Sequence, residues 1–258
     1  MILDDLFAGS LEDAARRREE LPTAELERIA LEQTPAIDAA AALRRAELVH
    51  IIAEVKRASP SRGRLAGIPD PAELAREYER GGASAISVLT EERKFLGSLE
   101  DLRAVRAAVR VPVLRKEFIG VEYQLLEARA AGADMVLLIV ASLDQPTLAR
   151  LKDFSEQLGM TALIEVHTRD EFKRALDVDA RVLGVNARDL KTFEMHPELF
   201  AELAPDYPEG VVRVAESAVL RPEHVRNYRD AGADAVLIGE ALVTGDRPAE
   251  TIKEFRNA

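Results

Sequence analysis

The sequence predicts an α/β protein, a (β/α)8 (TIM) barrel that follows an N-terminal helical extension. Apolar, strand-like runs alternate with amphipathic helical stretches along most of the chain. The predicted strands start near residues 51, 85, 112, 135, 160, 181, 211 and 235. Eight strand–helix units of about 25 residues each are the pattern expected of such a barrel.

A short internal repeat supports the same fold. The sequence Gly-Ala, then Ser or Asp, then an apolar strand occurs at residues 82–86, 132–136 and 232–236. Each glycine suits the C-terminus of a helix that turns into a strand. A doubly wound open sheet is the alternative fold, but its fingerprint G-x-G-x-x-G does not follow the first strand. The barrel is therefore the better prediction.

Residues 1–49 are predicted to form the helical extension, which covers the catalytic barrel of residues 50–258. Leu3, Leu6 and Phe7 mark one apolar helix face near the start of the chain. The two parts together are expected to make one domain.

The composition excludes several classes of protein. The 258 residues carry a net charge of −11, which argues against nucleic acid or an anionic membrane as partner. No apolar run approaches the ~18 residues of a membrane span, and the N-terminus lacks the regions of a signal peptide. The absence of cysteine rules out disulfides and agrees with a cytoplasmic enzyme. An anionic ligand would need cationic side chains gathered locally.

Polar residues stand where the predicted strands end, and barrel active sites lie at those ends. In the first strand Glu54 and Lys56 point to the same side, because strand side chains alternate in direction. Such charges on an apolar strand are costly to bury unless they pair or do chemistry. The corresponding residues of later strands are Lys116, Glu165, Asn186, Glu216 and Ser217.

Convergence of these groups favours an acid–base site. A structural ion pair is the alternative for each residue taken singly, but not for all of them together. Crowded lysines and carboxylates can have their pKa values pushed toward neutrality, as proton transfer requires. The four histidines, in contrast, fall at helix or loop edges and are predicted to be surface or capping residues: His50, His167, His196 and His224.

A phosphate site is predicted after the seventh and eighth strands. Gly239 and Glu240 can start a short helix, and the stretch Ser217-Ala218 offers backbone amides nearby. Arg188 could supply a cation. An ordinary strand–helix loop is the alternative interpretation.

Three further residues are predicted near the mouth of the barrel. Ser59 lies in the hydroxyl-rich loop S-P-S after the first strand. Phe95 and Phe118 lie just beyond the second and third strands and could form an apolar wall for a flat ligand. Both could equally cover the top of the barrel.

Six stretches carry a resemblance to a known family. They are I-A-E-V-K-R-A-S-P-S-R-G, V-L-T-E-E-R-K-F-L-G-S-L, P-V-L-R-K-E-F-I, A-L-I-E-V-H, G-V-N-A-R-D-L-K-T-F and A-E-S-A-V. In these stretches, their order and the N-terminal extension, the chain resembles indole-3-glycerol-phosphate synthase of tryptophan biosynthesis. The resemblance implies a lyase that converts 1-(2-carboxyphenylamino)-1-deoxyribulose 5-phosphate to indole-3-glycerol phosphate, carbon dioxide and water, without cofactor or metal.

The resemblance also implies residue roles. Lys116 would be the general acid on the keto oxygen during ring closure, Lys56 would engage the carboxylate, and Glu165 would be the partner acid or base. How Lys56 and Glu165 divide the dehydration stays open. Positioning roles fall to Glu54, Asn186, Glu216 and Ser217. The residues expected to bind substrate are Ser59, Phe95, Phe118, Arg188, Ala218, Gly239 and Glu240.

Two positions depart from the family's pattern. The family usually has Asn where this chain has Ala187, and Gly-Ile where it has Ala218-Val219. Both departures are expected to affect affinity rather than reaction type. Alternative functions are an isomerase of phosphorylated sugars on a similar barrel and a phosphate-binding protein without turnover. The sequence indicates a small anionic substrate and specifies no protein partner.

Overall fold

Eight parallel strands form a closed barrel in the computed structural model, which describes residues 2–189 and 192–258. Leu190 and Lys191, part of one family-like stretch, lie outside the described residues. The first strand along the chain pairs with both the last and the second strand of the barrel, which closes the ring. The strands are β1 His50–Val55, β2 Ala85–Leu89, β3 Val113–Lys116, β4 Met135–Ile139, β5 Thr161–Val166, β6 Val182–Asn186, β7 Val212–Glu216 and β8 Ala235–Ile238. Each begins within one residue of its predicted start, so the TIM barrel is confirmed.

Helices precede the barrel and alternate with its strands. Before β1 come α1 Ile2–Glu20, α2 Thr23–Leu31 and α3 Ala39–Ala42. The later helices are α4 Pro71–Gly81, α5 Leu99–Ala108, α6 Glu122–Ala130, α7 Gln145–Gln157, α8 Arg169–Leu176, α9 Leu199–Leu203, α10 Pro222–Asp230, α11 Glu240–Val243 and α12 Pro248–Arg256. Among the described residues, no helix is both long and apolar enough to cross a membrane.

Local sequence explains where the helices begin and end. The side chains of Asp70, Ser98 and Thr168 each accept a hydrogen bond from an amide in the first turn of the helix that follows. The repeat glycines Gly82, Gly132 and Gly232 all have positive φ, between 87° and 101°. This conformation strains other residues, so the predicted role of the repeat at helix ends is confirmed.

Alternation along the strands produces two apolar layers. Residues such as Ile51 and Ala53 point outward and pack under the helices. Ile52 and Leu163 point inward and fill the barrel. Leu3 of α1 belongs to this inner cluster, together with Leu6 and Phe118. The start of α1 therefore packs against the barrel interior.

A buried ionic network lies on the outer side of β3. Arg115 is fully buried, and its guanidinium donates to Glu127 Oε2 on α6 at 3.2 Å and to Thr90 Oγ1 at 3.1 Å. Thr90 in turn donates to Glu117 Oε2 at 2.7 Å. Since Arg115 precedes Lys116, the network fixes the strand that carries a predicted active-site lysine.

Helix α1 completes this network. Ser10 Oγ donates to Glu117 Oε1 at 3.0 Å, and Arg17 Nη2 donates to Glu127 Oε2 at 3.0 Å. Tyr123 on α6 donates its hydroxyl to the carbonyl of Leu21 at 2.9 Å. The extension is thus held to the barrel by buried polar contacts as well as by apolar packing.

We predict that Arg115→Met lowers the free energy of unfolding by about 3–5 kcal/mol, because it leaves Glu117 and Glu127 buried without this cation. Arg103→Met is the matched control. Arg103 and its partner Glu100 are exposed, so its loss should cost at most about 1 kcal/mol. Urea unfolding followed by circular dichroism measures both. Equal losses in the two variants would contradict the network's contribution.

Candidate active site

A cavity of about 540 Å³ opens at the C-terminal ends of the strands. Every residue predicted for the site lines it, so the structure brings together groups from the whole length of the chain. The predicted lining residues are Glu54, Lys56, Ser59, Phe95, Lys116, Phe118, Glu165, Asn186, Arg188, Glu216, Ser217, Ala218, Gly239 and Glu240. Among the described residues, no cluster of three or more acidic or histidine side chains is placed to hold a metal ion.

The centre of the cavity is an ammonium between two carboxylates. Lys116 Nζ donates to Glu165 Oε2 at 3.1 Å and to Glu216 Oε2 at 2.5 Å. The exposed fractions of the side chains are 13% for Lys116, 2% for Glu165 and 1% for Glu216. These residues lie at or next to the ends of β3, β5 and β7, and in this type of barrel alternate strands contribute each layer of the interior.

The pKa values in this cluster differ from the sequence expectation. Burial by itself would lower the pKa of Lys116, but the carboxylates of Glu216, Glu165 and Glu54 outweigh it and raise the pKa. The expected shift toward neutrality is therefore wrong for Lys116. Burial, together with the negative charge of Glu165, raises the pKa of Glu216 to about 8.

Glu165 behaves in the opposite way to Glu216. Burial opposes its ionisation, but Lys116 and then His167 overcome that cost and hold the pKa of Glu165 below its usual range. Glu165 is thus an anion in the free protein, and Glu216 is the carboxyl that can hold a proton near neutral pH. Because both acids contact Lys116, they titrate together, and the proton is favoured on Glu216.

His167 is not a surface or capping residue, which corrects the prediction from sequence. Its side chain is only 6% exposed, with Nε2 lying 3.3 Å from Glu165 Oε1 and Nδ1 lying 3.3 Å from Glu171 Oε2. The available signal was its position two residues after Glu165, which places both on one side of an extended chain. His50 is half-buried against Ser84, and His196 is exposed.

The strand-end pair at β1 forms as predicted. Lys56 Nζ lies 2.7 Å from Glu54 Oε1, and Ser87 Oγ donates to Glu54 Oε2 at 3.4 Å. Lys56 keeps 18% of its side chain exposed to the cavity, whereas Glu54 keeps 5%. The ammonium therefore faces the cavity while its carboxylate partner is buried behind it.

Two glycines leave room for the buried carboxylates. A Cβ on Gly184 of β6 would lie 2.2 Å from Glu216 Oε1, and one on Gly239 would lie 2.5 Å from Glu54 Oε1. A side chain at either position would require the neighbouring carboxylate to move. Glu216 Oε1 is buried and has no hydrogen-bond partner among the described residues.

The loops after β6 and β7 are joined through Asn186. Its Oδ1 accepts from the Arg188 amide at 3.0 Å and from Ser217 Oγ at 2.8 Å. Ser217 and Ala218 follow with φ values of 69° and 59°. Ala218 therefore occupies the left-handed conformation for which the glycine of the family pattern is suited.

The predicted phosphate side has the expected helix and more than one cation. Helix α11 starts after Gly239, and Arg188 Nη1 reaches Ser61 Oγ at 3.5 Å. Arg62 was missed from sequence, although it follows Ser61 in the S-P-S-R-G loop. Its guanidinium lines the cavity and donates to Glu240 Oε1 at 2.6 Å.

The opposite wall of the cavity is apolar. The rings of Phe95 and Phe118 lie 6.0 Å apart, centroid to centroid. Leu3 and Leu6 of α1 line the same cavity, as does Ile139 of β4. Helix α1 thus contributes side chains to the site itself. These side chains belong to the apolar face that the sequence predicts for the extension.

Comparisons with known proteins agree with this geometry. Residues 3–255 match the family model described as indole-3-glycerol phosphate synthase. The chain is 62% identical over 255 residues to the indole-3-glycerol phosphate synthase of Leifsonia xyli subsp. xyli, covering 99% of this chain and 98% of that one. A second, from Kineococcus radiotolerans, is 56% identical, covering 98% of this chain and 94% of that one.

A solved structure shows the same fold in a distant protein. The 3-hexulose-6-phosphate synthase of Salmonella typhimurium superposes with a TM-score of 0.67 at 14% sequence identity. The match covers 81% of this chain and 97% of that one. At this identity the likeness concerns the barrel alone.

We predict that Ala218→Gly raises the free energy of unfolding by about 1 kcal/mol, because glycine relieves the left-handed backbone at this position. Ala187→Gly is the matched control in the neighbouring loop. Ala187 is buried and lacks a positive φ, so glycine there should destabilise by about 0.5–1 kcal/mol. Thermal unfolding of both variants tests this. Destabilisation by Ala218→Gly would show that the backbone at 218 is unstrained.

Proposed function

The chain belongs to the indole-3-glycerol phosphate synthase family, and on this basis we propose roles for the residues around its cavity. The enzyme is a carboxy-lyase of tryptophan biosynthesis. It converts 1-(2-carboxyphenylamino)-1-deoxyribulose 5-phosphate to indole-3-glycerol phosphate, carbon dioxide and water. Family membership sets aside the sugar-phosphate isomerase and the binding protein without turnover. The observation that carries the residue roles is the Lys116 ammonium held between Glu165 and Glu216.

The substrate's three recognisable groups find complementary surfaces in the cavity. In the proposed pose, Arg188 and the backbone amides of Ala218, Gly239 and Glu240 hold the phosphate. Lys56 faces the substrate carboxylate, and the aromatic ring lies near the phenylalanines Phe95 and Phe118, with Ser59 at the cavity edge. The local cations supply the positive charge that an acidic protein needs to attract an anion.

Ring closure is the step assigned to Lys116. As the ring carbon bonds to the keto carbon, the keto oxygen gains an electron pair and accepts a proton from Lys116 Nζ. Glu216, whose pKa is about 8 and whose Oε2 lies 2.5 Å from Nζ, can return a proton to the amine. A raised pKa makes Lys116 a weaker acid. Because the amine regains a proton from Glu216, Lys116 can still donate its own proton to the keto oxygen.

The later steps require loss of carbon dioxide and of water. Departure of the carboxylate as carbon dioxide leaves its electron pair to restore the aromatic ring. Dehydration then needs an acid for the leaving hydroxyl and a base for the neighbouring carbon's proton. Glu165 and Lys56 are the proposed pair, with their division of these steps open, and Glu54, Asn186 and Ser217 hold them in place.

The organisation of the chain forms part of the proposal. Residues 1–49 act as an extension that covers and completes the catalytic barrel of residues 50–258, supported by Leu3 and Leu6 in the cavity wall. The proposed location is the cytoplasm, in keeping with a chain that lacks cysteine. Neither nucleic acid nor membrane is proposed as a partner of this acidic protein.

We predict that Lys116→Met and Lys116→Arg both lower kcat, by about 100- to 10,000-fold, with KM changed far less. Methionine removes the charge and the proton, whereas arginine keeps the charge but does not release a proton near neutral pH. Indole fluorescence and carbon dioxide release report turnover.

Binding of a reduced substrate analogue to both Lys116 variants is the control for a disturbed cavity. If Lys116→Arg turned over at nearly the wild-type kcat with intact analogue binding, Lys116 would act as an electrostatic clamp. The acid role would then be wrong.

We predict that Arg188→Ala mainly raises KM, by the equivalent of about 1.5–3 kcal/mol, since phosphate is bound alike in ground and transition states. Arg181→Ala is the control. Arg181 is exposed at the start of β6, the opposite end of the barrel, and should leave KM unchanged. If inorganic phosphate protected Arg188→Ala from thermal unfolding as well as it protects the wild type, the phosphate contact would be refuted.

A further inference from the structure

His167 lies behind Glu165, outside the acid–base roles described above. Nε2 lies 3.3 Å from Glu165 Oε1, and Nδ1 lies 3.3 Å from Glu171 Oε2, which also accepts the His167 amide at 2.7 Å. Nε2 makes no aligned hydrogen bond to any described residue, but it lies within ion-pair distance of the Glu165 carboxylate. With a carboxylate at each ring nitrogen, the imidazole is suited to hold both protons.

The carboxylates on either side of Lys116 therefore have unequal surroundings. Glu165 has Lys116 at one oxygen and His167 at the other. Glu216 has Lys116 at one oxygen, while its second oxygen lies over Gly184 without a partner. A proton shared by the two acids is favoured on the one with fewer cations.

We propose that His167 is a positioning residue that keeps Glu165 ionised and directs the shared proton onto Glu216. The proposal rests on the acid–base roles given above and adds the group that separates them. His167 itself touches no substrate atom in this scheme. It acts through Glu165, so its loss should alter which carboxyl is protonated rather than how tightly the substrate binds.

The charged groups facing this arrangement come from several elements. His167 faces Glu165 on β5 and Glu171 on α8. Glu165 and Glu216 face each other and Lys116, and Lys116 also experiences the charge of Glu54 on β1. Burial disfavours an imidazolium, but Glu165 and Glu171 outweigh it and raise the pKa of His167 to about 9, so the imidazole is charged at neutral pH.

The kinetic test compares His167→Gln and His167→Lys with the wild type at pH 7 and pH 9. At pH 7 Glu165 and Glu216 together hold one proton. In His167→Gln, Glu165 should carry this proton in a larger fraction of the molecules. The protonated fraction of Glu216, and kcat with it, should fall by about tenfold for each pKa unit by which the change exceeds the wild-type preference for Glu216. At pH 9, above the Glu216 pKa of about 8, most of the shared proton has left the wild type and about half of His167 is neutral, so the ratio of the two rates should approach one. His167→Lys keeps a cation and should restore the rate at pH 7.

His196→Gln is the matched control, because His196 also lies near a glutamate, Glu198 at 3.4 Å, but is exposed. It should leave kcat and its pH dependence unchanged. A rate ratio for His167→Gln that is the same at pH 7 and pH 9 would overturn the proposal. A ratio that recovers at pH 9, with KM unchanged, is the result expected.

A readout independent of turnover is the ring-nitrogen NMR signal of His167, assigned by its absence in His167→Gln. The imidazole should titrate at about 9 and fall toward its usual value in Glu165→Gln. Titration near 6.5 in the wild type would overturn the proposal. Failure of the proposed function would look different: Glu165→Gln would then keep wild-type turnover, whatever the state of His167.

Discussion

A lysine ammonium buried at the top of a closed barrel stays charged only if carboxylates lie beside it. Lys116 meets this requirement through Glu165 and Glu216, and the need to hold three charges together accounts for much of the surrounding structure. The odd-numbered strands β3, β5 and β7 bring the groups into one layer. Gly184 of β6 leaves the space that the Glu216 carboxylate fills. The cluster of Lys116, Glu165 and Glu216 therefore depends on the geometry of the barrel as well as on the residue types.

Side chains alternate in direction along β3, so neighbouring residues of this strand contribute to stability and to chemistry. Lys116 points into the cavity, while its neighbour Arg115 points outward into a network with Glu127. Because Ser10 and Arg17 of α1 join that network, the extension is coupled to the strand carrying the central lysine. Contacts that join residues some 100 positions apart cannot be found from local sequence patterns. The sequence therefore predicted an extension that covers the barrel, but not the buried polar contacts that hold it there.

The barrel and its strand-end residues were predictable because they depend on periodicity and on turn glycines, which are local properties of the chain. The prediction for His167 is wrong because a residue at a helix or loop edge is usually solvent-facing, whereas alternation along the extended chain puts His167 beside Glu165. The pKa directions of Lys116 and Glu216 depend on distances of a few ångströms between different strands. Spacing along the chain contains no such information, so opposite shifts in neighbouring acids required the structure.

Glu216 should carry a proton at neutral pH while Glu165 does not. Infrared difference spectroscopy of the free enzyme tests it directly, because a protonated carboxyl has a C=O stretch that a carboxylate lacks. We expect such a band at pH 7, lost with a midpoint near the Glu216 pKa of about 8. The band should remain in the exposed control Glu100→Gln and be absent from Glu216→Gln. No band at pH 7, or a band that survives Glu216→Gln, would contradict it.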